Sequence, residues 1–265
     1  GKQTIEKDDI NAVIKVLKSQ NLTQGLLVSE FERKLCEYFN SKYCIVVSNG
    51  TAALHLAGKA LEWSSKDTII TTPITFVATA NSILYSDANP VFVDIDKNTY
   101  NIDLNKLEEK IKTLKKLGKK VSAVIGVDYS GNPCDWESLR YLANKYLFKL
   151  INDNCHAIGS KYNNNKGYAV KYADLVTHSY HAVKNITTGE GGCVLTNSKR
   201  LADKIRLLRT HGVEKLKEKH WSYKMDTIGF NYRLTDFQCA LGINQLSKLD
   251  NFILKKRKNA LKYQN

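Results

Sequence analysis

The sequence predicts an α/β fold, a mostly parallel sheet with helices on both faces. Three observations carry this reading. Short apolar runs alternate with stretches of helical periodicity along most of the chain. The 265 residues are enough to bury one large core and part of a second. The residues that look chemically active cluster where apolar runs end, the edge at which such sheets bind ligands.

The elements follow in order. Ile10, Val13, Ile14 and Leu17 have helical spacing within 8–19, and the pattern repeats over 29–39, where Ser29 and Glu32 suggest a capping box. Tyr43–Ser48 is a short apolar run, Asn49-Gly50-Thr51 a turn, and 52–61 a helix. The alternation then continues: strand 68–72, helix 76–85, strand 91–94, helix 104–117, strand 121–127, helix 136–146 and strand 149–153. Residues 175–179 and 192–196 read as two further strands. The segment 246–265 reads as a basic amphipathic helix cut off in mid-pattern, and Gly1 in place of Met suits a processed or clipped chain.

Bulk composition narrows the function less. Forty Lys and Arg against 26 Asp and Glu give a net charge of +14, which suits nucleic acid, an anionic substrate, or simply solvated lysines on helix faces. No aromatic-interleaved basic stripe or zinc-finger spacing accompanies the charge, so the third reading is preferred and no nucleic-acid partner is expected. There is no run long enough to span a bilayer and no signal peptide at the start of the chain. None of the six cysteines falls in a CxxC pair, a pattern of free thiols in a reducing cytoplasm rather than a disulfide frame or metal site.

Three segments carry chemistry. Ser48-Asn49-Gly50-Thr51 opens a helix, whose N–H groups and dipole suit a phosphate, although Asn-Gly turns also occur without any ligand. Asp153 ends a strand, where a carboxylate either faces a cleft or caps the next helix. In Thr177-His-Ser-Tyr-His-Ala-Val-Lys184-Asn-Ile-Thr-Thr-Gly-Glu-Gly-Gly192, Lys184 lies among Ala182, Val183 and Ile186 before a Gly-rich turn. An enclosed amine serves as a nucleophile toward an aldehyde and as a base; a surface lysine between strands is the alternative. Together the three supply what pyridoxal phosphate requires: a lysine for the imine, an anion for the pyridine nitrogen and a donor cradle for the phosphate.

The order of these segments resembles the DegT/DnrJ/EryC1/StrS sugar aminotransferases. The likeness runs from Leu22-Thr-Gln-Gly25 to Asn231-Tyr-Arg233 and Ala240-Leu-Gly242. Pro73-Ile-Thr-Phe-Val-Ala-Thr-Ala-Asn81, Val127-Asp-Tyr-Ser-Gly-Asn-Pro133 and His156-Ala-Ile-Gly159 are closest to the pseudaminic-acid branch of that family. The resemblance implies the fold of type I pyridoxal-phosphate transferases. It divides the chain into a large cofactor domain over 1–245 and, over 246–265, the start of a small C-terminal domain that is otherwise missing. It implies a cytoplasmic homodimer moving an amino group from glutamate to C4 of a UDP-linked 4-keto-6-deoxy sugar. A non-catalytic cofactor-binding fragment and a relative acting on another nucleotide keto sugar are the alternatives.

The resemblance also assigns residues. Lys184 is the Schiff-base lysine and proton shuttle, and Asp153 pairs with the pyridine nitrogen. Phe76 stacks on the ring, and His156 contacts it from the Asp153 side. Gly50, Thr51 and Ser179 hold the phosphate, and Asn231 reaches the phosphate of the neighbouring subunit. Some relatives carry His at the lysine position and dehydrate sugars; Lys184 points away from that chemistry.

Overall fold

A computed structural model describes residues 3–215 and 222–263. The elements are α1 (Lys7–Leu17), α2 (Leu26–Phe39), β1 (Tyr43–Val47), α3 (Gly50–Ala60), β2 (Thr68–Thr71), α4 (Val77–Leu84), β3 (Asn89–Phe92), α5 (Leu104–Lys116) and β4 (Val121–Val127). They continue as α6 (Trp136–Tyr146), β5 (Lys149–Asp153), α7 (Tyr168–Tyr172), β6 (Leu175–Ser179), β7 (Gly192–Thr196), α8 (Lys199–Arg209), β8 (Val213–Lys215), β9 (Tyr223–Met225) and α9 (Asp236–Tyr263).

Seven strands form one sheet in the order β1-β7-β6-β5-β4-β2-β3, and β8 and β9 pair separately. Every pairing in the large sheet is parallel except the two made by β7. This is the expected α/β fold. Residues alternate across the sheet: Cys44 and Val46, Val124, Leu150 and Val176 face one core, and Ile45 and Val47, Ile125, Ile151 and Leu175 face the other. Strands buried on both faces read as continuous apolar runs, which is why the sequence showed them. The registers Val127↔Asp153 and Asp153↔Thr177 bring the carboxyl ends of β4, β5 and β6 level.

Several local expectations are corrected. Ser29 and Glu32 form no capping box. The helix starts at Leu26, and Ser29 lies inside it, its hydroxyl donating to the Leu26 carbonyl. The N-terminal N–H groups are served from far away: Asp236 of α9 accepts from Gly25 N at 2.8 Å and Leu27 N at 3.2 Å. Glu32 accepts instead from Val46 N at 3.0 Å and pairs with Arg209 at 2.7 Å. A Cβ on Gly25 would sit 2.5 Å from Asp236 Oδ1, so the close approach of that carboxylate requires glycine there. Strand β3 spans 89–92 rather than 91–94, because Asn89 pairs with Thr68 while Asp94 turns away to bond Lys106. Pro90 is tolerated because β3 is an edge strand.

The last helix begins at Asp236, ten residues before the apolar pattern announced it, and passes unbroken through positions 245 and 246. Its first half buries small or polar residues (Cys239, Ala240, Gly242, Gln245) against α1 and α2, which hides the periodicity; Leu246, Leu249 and Phe252 then join the core. The helix expected over 246–265 is thus described to Tyr263, and 264–265 lie outside the described residues. Helices α7 and α8 and the β8–β9 pair had no forecast. No helix among the described residues is long and apolar enough to cross a membrane. All six thiols are free, four buried and two half-buried.

Candidate active site

At the carboxyl edge of the sheet lies a cavity of about 630 Å³. Seven of the eight expected site residues line it: Gly50, Thr51, Phe76, Asp153, His156, Ser179 and Lys184. Gly50 and Thr51 arrive together at the start of α3, and the other five come from separate segments along the same sheet edge. Asn231 does not join them; it is exposed and bridged to Thr210, beyond the cavity of its own chain.

The floor is set by the start of α3. Asn49 caps that helix by accepting from Ala52 N at 2.7 Å, and the preceding Gly50 and Thr51 line the cavity. Their N–H groups belong to the first turn, which has no intrahelical acceptors and carries the positive end of the helix dipole. Gly50 is required by proximity: a Cβ there would meet Ser179 Cβ at 2.8 Å. Ser179 itself ends β6, and its Oγ accepts from His181 N at 3.4 Å.

Asp153 ends β5 and is nearly enclosed, with 5% of its surface exposed. Its Oδ2 accepts from Thr79 Oγ1 at 2.7 Å and its Oδ1 from Cys155 N at 3.2 Å. A carboxylate offers about four lone-pair positions, so part of its accepting capacity remains on the cavity side. Thr79 is held in turn by Thr75, oxygen to oxygen at 2.8 Å. Burial, reinforced by the Asp153 charge, pushes the Cys155 thiol well above its usual range, so that neighbour stays protonated. Burial, then the charge of Lys184, holds His156 below the ordinary imidazole value despite Asp153, so the ring is neutral at pH 7.

Lys184 stands on the loop joining antiparallel strands β6 and β7. The base of the loop is closed by Tyr180 N to Gly191 O at 2.7 Å and Thr188 N to Tyr180 O at 3.0 Å, and Lys184 N donates to His181 O at 2.9 Å. Asn185 ties this loop to the next one: its Nδ2 donates to Ile158 O at 2.8 Å, and its Oδ1 accepts from Lys256 Nζ of α9 at 2.6 Å. The lysine loop and the turn after β5 are therefore held in register. Phe76, at the N-cap of α4, is 65% exposed and forms an open wall.

Behind the site, Asp128 is fully buried at the end of β4. It accepts from Tyr168 OH at 2.6 Å, Cys134 N at 2.8 Å, Trp136 Nε1 and Asn154 Nδ2 at 2.9 Å, and Asn152 Nδ2 at 3.0 Å. Burial pushes its carboxyl up even against these donors. Asn152 and Asn154 flank Asp153, so this network fixes the backbone that presents it. Sequence reasoning missed Thr79, Thr75, His181, Glu190 and the Asp128 network as parts of the site. All five of these named residues, Asp128 included, lay within the quoted motifs, but a hydroxyl, imidazole or carboxylate in a motif has no visible partner until the chain is folded.

Comparison with known proteins gives the family. Residues 3–265 match the DegT/DnrJ/EryC1/StrS aminotransferase family. A UDP-4-amino-4,6-dideoxy-N-acetyl-beta-L-altrosamine transaminase of Campylobacter jejuni is 46% identical over 96% of this chain and 65% of its own length. The chain thus spans just under two thirds of that curated relative. Among solved structures, Helicobacter pylori PseC, an aminotransferase involved in the biosynthesis of pseudoaminic acid, superposes with a TM-score of 0.91 at 38% identity, covering 99% of this chain and 68% of that one. Spr1654 of Streptococcus pneumoniae in its PLP-form gives 0.85 at 27% identity, covering 98% and 69%. On sequence and fold together, the chain belongs to the DegT/DnrJ/EryC1/StrS aminotransferase family.

Proposed function

We propose that the protein is a pyridoxal-phosphate-dependent transaminase, acting as a cytoplasmic homodimer. It would move an amino group from glutamate to C4 of a UDP-linked 4-keto-6-deoxy sugar, in assembly of pseudaminic acid or a related glycan. One observation carries the reading: Lys184 and Asp153, 31 positions apart, open into the same cavity as the glycine-started helix α3. The residues suit the cofactor. A buried carboxylate with spare lone pairs matches a protonated ring nitrogen, a helix start kept open by Gly50 matches a phosphate, and a lysine lies between them in chemistry.

When bound, the cofactor supplies an aldehyde for amine exchange and a ring that withdraws electrons from the carbon losing its proton. The protein's own groups do the rest. Asp153 would keep a positive charge on the ring nitrogen, Thr79 and the Cys155 N–H hold that carboxylate in place, and neutral His156 would lie beside the ring without adding charge. Gly50, Thr51 and Ser179 would hold the phosphate, Phe76 would pack against the ring, and the Lys184 amine would take the aldehyde and hold the mobile proton. Asn231 completes the neighbour's site. The sugar branch rests on the 46% identity to the Campylobacter jejuni transaminase.

The test is spectroscopic. Purified protein with pyridoxal phosphate should show the absorbance of a lysine-bound cofactor, and borohydride should fix the label on the peptide containing Lys184. Label on another lysine, or none, rejects the assignment. Turnover of glutamate with a UDP-linked 4-keto-6-deoxy sugar then tests the substrate pair.

A further inference from the structure

The loop that carries Lys184 presents two more polar side chains to the cavity, one from each end: His181 and Glu190. Both are held by their backbones. Ser179 Oγ accepts from His181 N at 3.4 Å, while the Glu190 carbonyl accepts from Gln238 Nε2 at 2.8 Å and Thr188 Oγ1 at 2.7 Å. The backbone orients the imidazole. Nδ1 accepts from Val183 N–H at 3.4 Å, which leaves Nε2 as the donor. That Nε2 lies 3.9 Å from Glu190 Oε1, too far for a direct hydrogen bond.

The gap has a chemical meaning. An oxygen placed about 2.8 Å from each atom fits over it at ordinary hydrogen-bond lengths. To satisfy both partners it must accept from Nε2–H and donate to the carboxylate. A hydroxyl does both; a carboxylate only accepts and an ammonium only donates. A hydroxyl therefore matches both atoms of the pair, whereas a carboxylate meets only the imidazole and an ammonium only Glu190. We infer that His181 and Glu190 bind the C3 hydroxyl of the sugar, beside the carbon that receives the amino group, and so help set specificity for the sugar. This rests on the sugar-transaminase reading above, in which C4 is brought to the Lys184 loop.

The experiment is calorimetric titration of the holoprotein in its pyridoxamine form with UDP-N-acetylglucosamine and with its 3-deoxy analogue. The unaltered protein should bind the hydroxylated compound about 10-fold more tightly, as expected for a hydrogen bond to a charged group. His181→Ala and Glu190→Ala should each erase that preference while leaving the affinity for the 3-deoxy compound in place. Glu190→Gln, which keeps an accepting oxygen, should restore part of it. A preference that survives both alanine variants, or none in the unaltered protein, overturns the inference and leaves the transaminase reading standing. Failure of the unaltered protein to bind either UDP-sugar overturns both.

Discussion

Asp153 is the buried carboxylate of the cavity. A carboxylate so enclosed is costly to bury unless it is hydrogen-bonded, and here Thr79 and the Cys155 N–H meet only part of that requirement. On the proposed function, the remainder would be met by the protonated ring nitrogen of the cofactor. Replacing Asp153 with Asn removes the charge at nearly constant shape. The glutamate half-reaction, followed by the cofactor absorbance in single turnover, should then slow roughly 10²–10³-fold, about 3–4 kcal/mol of lost transition-state stabilisation. A near-normal rate would remove Asp153 from the mechanism. Nothing in the sequence near Asp153 names Thr79, which lies 74 positions away and meets it only because α4 packs beside the edge of the sheet.

Among the elements, Asp174 joins α6 to the strands that build the site. It pairs with Arg140 of α6 at 3.0 Å and Lys149 at 3.2 Å, and accepts from Leu150 N at 2.9 Å, just before β6. Burial alone would raise its carboxyl, but the Leu150 N–H and the Arg140 charge outweigh it and hold the group below its ordinary value. The sign follows from linkage. A depressed folded-state value contributes stability that is present above the unfolded carboxylate pKa and is lost as pH falls through the lower folded value. Asp174→Asn should lower the melting temperature at pH 7 by several degrees, at about 2–4 °C per kcal/mol for a chain of this size. The gap between variant and parent should close in melts below about pH 4. A gap unchanged at low pH would mean that charge is not the cause.

The same scale shows what was legible from sequence. Buried parallel strands such as 121–127 and 149–153 announce themselves as apolar runs, and the Lys184 loop announces itself by its glycines. The Ser29 and Glu32 pair looked like a local cap but is not one, because Asp236 serves the helix start and Glu32 pairs with Arg209 from elsewhere in the chain. Helix α9 was half hidden because Cys239, Ala240 and Gly242 bury well without reading as an apolar stripe.

At the scale of the whole molecule, the position of Asn231 poses the question of assembly. It lies outside its own cavity, and the aromatic stack of Phe230 and Tyr232, with ring centroids 4.9 Å apart, holds its flanks against His55 of α3. An exposed polar residue on a fixed segment suits a site completed across a two-fold axis. Mixing a Lys184→Ala protein with an Asn231→Asp protein, each inactive alone, should restore a portion of the activity, since one pocket of the mixed dimer is then intact. No recovery despite demonstrated subunit exchange would place the action of Asn231 within its own chain.

The carboxylate that caps α2 also sets the order of events during synthesis. Asp236 lies 211 positions after Gly25, and α9 further joins the beginning of the chain through Lys248, which meets Glu6, Asp8 and Asp9 at 2.7–3.0 Å. The first two helices thus wait for the last one. At about 5–20 residues per second, a ribosome needs roughly ten seconds or more to deliver the missing partner. During that interval α1 and α2 have an open apolar side and an uncapped start, the state in which a nascent chain most needs a chaperone. Such closure between distant segments favours late, all-at-once consolidation over stepwise assembly from the N-terminus.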